Sequence, residues 1–192
     1  MSKVILTDVD DVLFDWTADF EQWIVENTPY RPTESLRRFW NIEVWLGISI
    51  DESRDLIRRF NSDERYWPNF RPMPGVKESI TELKNMGYKF VAITACATDS
   101  WTYEHRFQNL RREFGDAFDT LHCVGQSHPK TPFLARYRPT FWVEDKWQHA
   151  VDGADLGHTS FIIDYLHNQQ KEDDRIVRVS NWCEIVDYVS NQ

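Results

Sequence analysis

The sequence predicts an α/β fold, a doubly wound parallel sheet carrying a small helical insertion after its first strand. Three observations predict it. A short apolar run at 4–6 ends on Thr7 and Asp8, as a strand buried on both faces should. From 76 onward, apolar strands alternate with amphipathic helices, the pattern of a parallel sheet with crossover helices. Between them, 16–71 is rich in Trp and Arg and holds no convincing strand. The expected division is therefore a core of 1–15 and 72–192 with an insertion at 16–71.

Within the insertion the patterning predicts helices at 17–26, 34–40 and 52–60, the last capped by Asp51 and the first two separated by breakers around Pro29 and Pro32. After Pro72-Met73-Pro74-Gly75, an amphipathic helix at 76–86 stops at Gly87, and a strand follows at 89–94. A helix at 100–114 places Tyr103, Phe107, Leu110 and Phe114 on one face and stops at Gly115. Strands are expected at 120–124, 140–143 and 160–163, with short helices between them and a last helix at 182–189. The polar stretch 168–175 reads as an exposed loop.

Charge and composition narrow the function. With 22 basic and 31 acidic side chains the net charge is −9, which repels polyphosphate and argues against a nucleic-acid polymer as partner. A small phosphorylated substrate stays open, because a divalent cation and one or two basic groups reverse the field locally. Three widely spaced cysteines without ligand spacing predict a reducing compartment. No apolar run reaches spanning length and no leader pattern opens the chain, so a cytoplasmic protein without a membrane partner is expected. Nine Trp among 15% aromatic residues leave two uses open, core filling and stacking on a ligand.

In an open parallel sheet, ligands bind beyond the carboxyl ends of the strands. Four of those ends here carry polar chemistry: Asp8 and Asp10 after the first strand, Thr94-Ala95 after the second, Lys130 at a helix start after the third, and Glu144-Asp145 after the fourth. Clustered carboxylates call for a hard cation such as Mg²⁺, and one carboxylate can attack phosphorus while another works as acid and base. A lysine and a hydroxyl would neutralise and hold the transferring group. Asp11 reads as a solvated turn residue, and Cys96 as a small buried side chain rather than a reactive thiol.

These residues resemble the four ordered motifs of the haloacid-dehalogenase superfamily, whose fold is of the Rossmann kind. Asp8-Val9-Asp10-Asp11-Val12-Leu13 is similar to the first motif, and Thr94, Lys130 and Glu144-Asp145 fall in order for the others. The resemblance implies that Asp8 is nucleophile and metal ligand. It implies that Asp10 is the general acid and base with its carbonyl on the metal, that Thr94, Ala95 and Lys130 bind phosphate, and that Asp145 with Glu144 holds Mg²⁺. Glu144 has the alternative of an outer partner. The dehalogenating branch lacks the second Asp, so phosphatase chemistry is implied. Arg37-Arg38-Phe39-Trp40, Met73-Pro74-Gly75, Lys130-Thr131, Glu144-Asp145-Lys146, His167-Asn168 and Asn181-Trp182 further resemble the 5'(3')-deoxyribonucleotidases. That narrower likeness implies a small-molecule nucleoside monophosphate as substrate, a helical cap, and a base pocket at Trp16, Phe39, Trp40 and Trp67. A cap core is the competing use of those aromatics. Relatives carry Ser after the Thr, so Ala95 lacks a hydroxyl. A phosphatase for another small metabolite and a non-catalytic binding module are the rival readings, and assembly is open, a homodimer included.

Overall fold

The computed structural model describes residues 3–39, 41–126 and 128–192, and all of their side chains except that of Pro68. Trp40, one expected base-pocket residue, lies outside the described residues. Among these residues a single six-stranded sheet runs in the order β3-β2-β1-β4-β5-β6, with every pairing parallel. Its strands are β1 (Lys3–Thr7), β2 (Tyr88–Ala95), β3 (Phe118–Val124), β4 (Phe141–Glu144), β5 (Thr159–Ile163) and β6 (Ile176–Val179). The expected doubly wound sheet is therefore present.

The order reverses at β1: the chain builds outward through β2 and β3, then returns to place β4 on β1's other side. Strand order reversal opens a crevice at the carboxyl edge. Ile5 and Leu6 at the sheet centre are fully buried, as their position between two paired neighbours requires. β6 was not anticipated. Arg178 interrupts its apolar run and its first three residues are only half-buried, so it lacks the signature of a central strand.

Between β1 and the helix α4 (Val76–Asn85) come α1 (Trp16–Asn27), a 3-10 turn at Leu36–Arg38, α2 (Ile42–Leu46), α3 (Ile50–Asn61) and a second 3-10 turn at Trp67–Asn69. The expected helix at 34–40 is thus only a 3-10 turn among the described residues. The helix that follows it, α2, is too short for periodicity to reveal and ends on Gly47 in the left-handed region at φ 65°. The cap of α3 is Ser49, whose hydroxyl accepts from the Glu52 N–H at 3.2 Å, and Asp51 sits in the first turn instead. The two chain crossings into this segment are tied together: Asp15 N–H donates to Arg71 O at 2.8 Å and Met73 N–H to Leu13 O at 2.8 Å. The aromatic rings at 20, 23, 45, 60, 67 and 70 are buried together, continuous with the apolar core of the sheet.

The remaining helices are α5 (Ser100–Phe114), α6 (Thr131–Leu134), α7 (Trp147–Asp155) and α8 (Trp182–Ser190). α5 has its expected bounds but is turned. Tyr103 is exposed and Phe107 half-buried, while Thr102, Arg106, Asn109, Leu110 and Phe114 face inward. α7 packs tightly on the sheet, and Trp142 Nε1 donates to His149 O at 3.0 Å. Asn168 is not part of an exposed loop. It is fully buried, donating to Asp145 O at 2.9 Å and Ile163 O at 2.8 Å. No helix among the described residues is long and apolar enough to cross a membrane.

Gly153 marks the closest helix–sheet approach. A Cβ there would stand 2.4 Å from Trp142 Cδ1 and 2.7 Å from Ser160 Oγ. Gly153→Ala is therefore expected to cost about 1–3 kcal/mol by overpacking, lowering Tm by about 2–4 °C per kcal/mol. A thermal melt checks this, and an unchanged Tm would show that the helix shifts freely.

Candidate active site

Of the residues expected at the strand ends, Asp8, Asp10, Thr94, Ala95, Lys130 and Asp145 line one cleft of about 370 Å³, with Glu144 buried behind it. Asp8 leaves β1 with its N–H donated to Val143 O at 2.9 Å, which locks the end of β1 to β4. The next residues make one tight turn, with Leu13 and Phe14 N–H both donating to Val9 O at 2.9 and 3.0 Å. That turn brings Asp10 and Asp11 to the same cleft wall as Asp8.

Lys130 organises the charge. Its ammonium, fully buried, lies 2.8 Å from Asp8 Oδ1 and 2.5 Å from Glu144 Oε1. Burial opposes its positive charge, but Asp8 and Glu144 more than offset that and hold it above the ordinary lysine range. Glu144 takes four donors: Lys130 and, at 3.0 Å, His149 Nδ1 on Oε1, and the Asp145 and Lys146 N–H groups at 2.9 Å each on Oε2. Four donors fill a carboxylate's four lone-pair sites. Against the push of burial, Lys130 and His149 keep Glu144 below the usual carboxylate range. Glu144, expected as a second metal ligand or an outer partner, thus holds Lys130 and shapes the loop carrying Asp145.

Asp8 and Asp145 are different. Burial drives Asp8 up to about 7 against the pull of Lys130, with Glu144 and Asp10 adding to the rise. Burial, then Glu144, Asp8 and Asp11, drive Asp145 well above its ordinary value. Ligand oxygens of Asp8, Glu144 and Asp145 lie within 4.8 Å of one another. Two nearby carboxyls that resist ionising together are a fitting seat for a hard cation, which an oxygen-rich pocket with room for water would take. The Asp145 carbonyl is fixed by Asn168 Nδ2 at 2.9 Å and His167 Nε2 at 3.1 Å.

Thr94, at the end of β2, is 1% exposed, and its hydroxyl has no hydrogen-bond partner among the described residues. A buried donor without a partner is costly unless a ligand satisfies it. Ala95 lines the same cleft beside it.

Two residues whose part sequence reasoning missed brace the loop after β1. Arg106 is fully buried, with Nη2 donating to Asp10 Oδ2 at 3.0 Å and Nη1 2.8 Å from Oδ1. It lies four residues before Leu110 and eight before Phe114, so its helical phase was a signal, masked by its charge. Asp11 is the other. It is the non-glycine residue at positive φ (55°) and accepts from Thr17 N–H at 3.0 Å and Thr17 Oγ1 at 2.5 Å, with Arg37 Nη2 at 3.3 Å. Burial pushes it up to about 6 despite those donors. Asp11 is thus a structural tie to α1 and to Arg37, not a solvated turn residue.

The expected base pocket is only partly assembled. Trp16 lines the cleft, stacked on Phe20 at 4.8 Å, with its Nε1 donating to Asn61 Oδ1 at 3.3 Å. Phe39 instead lines a separate surface hollow with Tyr30, Trp45 and Leu46. Trp67, 1% exposed against Phe70 and Arg106, borders not this cleft but an adjoining pocket that shares Asn61, Cys96 and Gln126 with it. Leu36, Ile42 and Ile57 supply the apolar lining instead. Periodicity could not separate these uses, because a small helical segment needs its own apolar contacts.

No known family's sequence profile matches the chain, and no curated protein sequence matches it. Solved structures do. A putative haloacid dehalogenase-like hydrolase from Bacteroides fragilis superposes with TM-score 0.66 at 16% identity, covering 96% of this chain and 100% of that one. The fold is that of the haloacid-dehalogenase hydrolases. The L-2-haloacid dehalogenase of Xanthobacter autotrophicus gives TM-score 0.66 at 12% identity over the whole of both chains. A D,D-heptose 1,7-bisphosphate phosphatase from B. bronchiseptica, solved with magnesium and phosphate, gives 0.60 at 11% identity over 98% of each chain. The neighbours thus include both dehalogenases and phosphatases.

The raised carboxyls make cation binding pH-dependent. In the metal-free protein, stability gained from protons on Asp8 is full below the ordinary carboxyl value near 4 and is lost as pH rises through about 7. A cation needs those protons gone, so Mg²⁺ should bind more tightly, and raise Tm more, as pH climbs from 6 to 8. Melts with Mg²⁺ and with chelator across that range check the widening gap, and a constant gap would contradict it.

Proposed function

We propose that this chain is a Mg²⁺-dependent phosphomonoesterase that passes a phosphoryl group through Asp8. The observation that carries the reading is the buried Lys130, bridging Asp8 and Glu144 at the sheet's switch point next to the unpartnered Thr94 hydroxyl. Charge neutralisation, a carboxylate nucleophile and an oxygen-binding hydroxyl thus share one cleft, as phosphoryl transfer requires.

Asp8 attacks phosphorus, and its carboxylate oxygen becomes bonded to the phosphoryl group as the ester oxygen departs. Asp10 gives that oxygen its proton and then takes one from the water that releases phosphate. Lys130 holds Asp8 in place and neutralises charge on the transferring group. Thr94 Oγ1 and the Ala95 N–H donate to its oxygens; Ala95 adds no hydroxyl, so Thr94 carries that role alone. Asp8, Asp145 and the Asp10 carbonyl would hold Mg²⁺, which when bound offsets the negative charge of the phosphate. The second Asp favours phosphatase over dehalogenase chemistry, since only a leaving alkoxide needs a proton.

A nucleoside monophosphate fits the rest of the cleft. Trp16, Leu36, Ile42 and Ile57 offer apolar and stacking surface for a base, and Asn41 and Asn61 offer amides for its edge. The helical segment 16–71 is the cap that supplies those groups. A sugar phosphate is the second reading, favoured by Glu43 and Ser53 in the same wall, which suit hydroxyl groups. A cytoplasmic setting suits three free thiols at Cys96, Cys123 and Cys183.

Phosphate release from ribo- and deoxyribonucleoside monophosphates and sugar phosphates, with and without Mg²⁺, tests both readings. Asp8→Asn should lose about 10⁴-fold or more in kcat and Asp10→Asn about 10²–10⁴-fold. Turnover that survives Asp8→Asn would sink the mechanism. Trp16→Ala should weaken nucleotide binding by about 1–3 kcal/mol, read as a higher KM with little change in kcat. An unchanged KM would shift the assignment to sugar phosphates.

A further inference from the structure

Asp10 carries the proton in the proposed reaction, and what holds it is a side chain no substrate can reach. Arg106 sits on α5 with 0% exposure and is not among the residues lining the cleft. Its guanidinium lies 4.2 Å from the centroid of the Trp67 ring and 4.9 Å from that of Phe70. Both rings belong to the stretch by which the chain returns from the helical segment to the sheet, and both are buried. On the side away from them, Nη1 and Nη2 meet the two oxygens of Asp10 at 2.8 and 3.0 Å.

The burial of the two partners is unequal. Asp10's side chain is 26% exposed and borders the cleft, whereas Arg106 is sealed. A buried guanidinium is retained only with its charge matched, and its rigid planar fork fits a carboxylate in one orientation. Free of Arg106, an aspartate at a cleft wall would have several staggered rotamers open to it. With Arg106 set against the two aromatic rings, one of these is selected. Asp8 has Lys130 for the same purpose, so each of the two working carboxylates has its own buried cation.

We propose that Arg106 is the positioning residue for Asp10, and that Trp67 and Phe70 set Arg106 from behind. This rests on Asp10 being the acid and base of the proposed phosphatase. It assigns Trp67 a use different from base stacking: the return segment of the cap fixes the geometry of the proton-transfer group. The placement of the acid and base is thereby tied to the folding of the cap onto the core.

The test joins a structural and a kinetic readout on Arg106→Met, which keeps an unbranched apolar stem and removes the guanidinium fork. A crystal structure of the variant is expected to show the Asp10 carboxylate moved to another rotamer, with Asp8, Lys130 and Thr94 in place. With p-nitrophenyl phosphate and Mg²⁺, kcat is expected to fall about 10- to 100-fold with KM within about twofold, as misplacement of a reacting group does. In an Asp10→Asn background the same change should bring no further fall in kcat. An unmoved Asp10, or an equal further fall in that background, would overturn the proposal and leave Arg106 a packing residue. If Arg106→Met does not fold, Trp67→Phe serves: Asp10 should shift and kcat drop by a smaller factor, and a wild-type Asp10 position would overturn the idea. A wild-type protein inactive on every phosphomonoester would defeat the proposed function alone, since the crystallographic comparison still decides whether Arg106 places Asp10.

Discussion

Lys130 is a lysine with no exposure, set between the carboxylates of Asp8 and Glu144. A buried ammonium without close anionic partners would lose its charge or force the chain open. Much of the surrounding architecture follows from meeting that need. Asp8 must stand at the end of β1 and Glu144 at the end of β4, so the two strands must be neighbours, and they pair in parallel. Glu144 must in turn be satisfied on its other lone pairs, which draws in His149 and the backbone of the loop carrying Asp145. The switch point of the sheet is where a lysine arriving after β3 can meet both carboxylates.

The same arrangement separates the carboxyls by role. Glu144 is kept ionised by its donors, whereas Asp8 and Asp145 are held back from ionising by burial and by the Glu144 charge. One lysine cannot balance three carboxylates, so the site holds surplus negative charge that a cation would offset. At the outer wall the cap enters by the same principle of paired charges. Arg37 reaches Asp15 at 2.5 Å and Asp11 at 3.3 Å, tying the 3-10 turn to the loop after β1. Arg106 faces Asp10 from the inside. The first loop of the fold is therefore held from three sides by cations of different elements.

Legibility in the sequence followed how local each cause is. The strands β1, β2, β4 and β5 and the helices α4, α5 and α8 could be read because apolar runs and glycine stops are local signals. Asp8, Asp10, Thr94, Lys130 and Asp145 were legible because strand ends share an edge of the sheet, and the structure brings all five to one cleft. The saturation of Glu144 was not legible, since it depends on His149 and on a loop conformation. Asp11 looked solvated because nothing local reveals the Thr17 and Arg37 donors around it. Trp16 and Trp67 read alike in sequence, yet one lines the cleft and the other backs a buried arginine.

The proposed reaction is covalent, with the phosphoryl group passing through Asp8. The most direct measurement is acid quenching of the protein during turnover of a phosphomonoester, using Asp10→Asn to slow release, followed by peptide mass spectrometry. The account predicts one added phosphoryl group on the peptide containing Asp8, located on that residue and removed by hydroxylamine. Turnover with no phosphorylated peptide, or with the label on another residue, would contradict it.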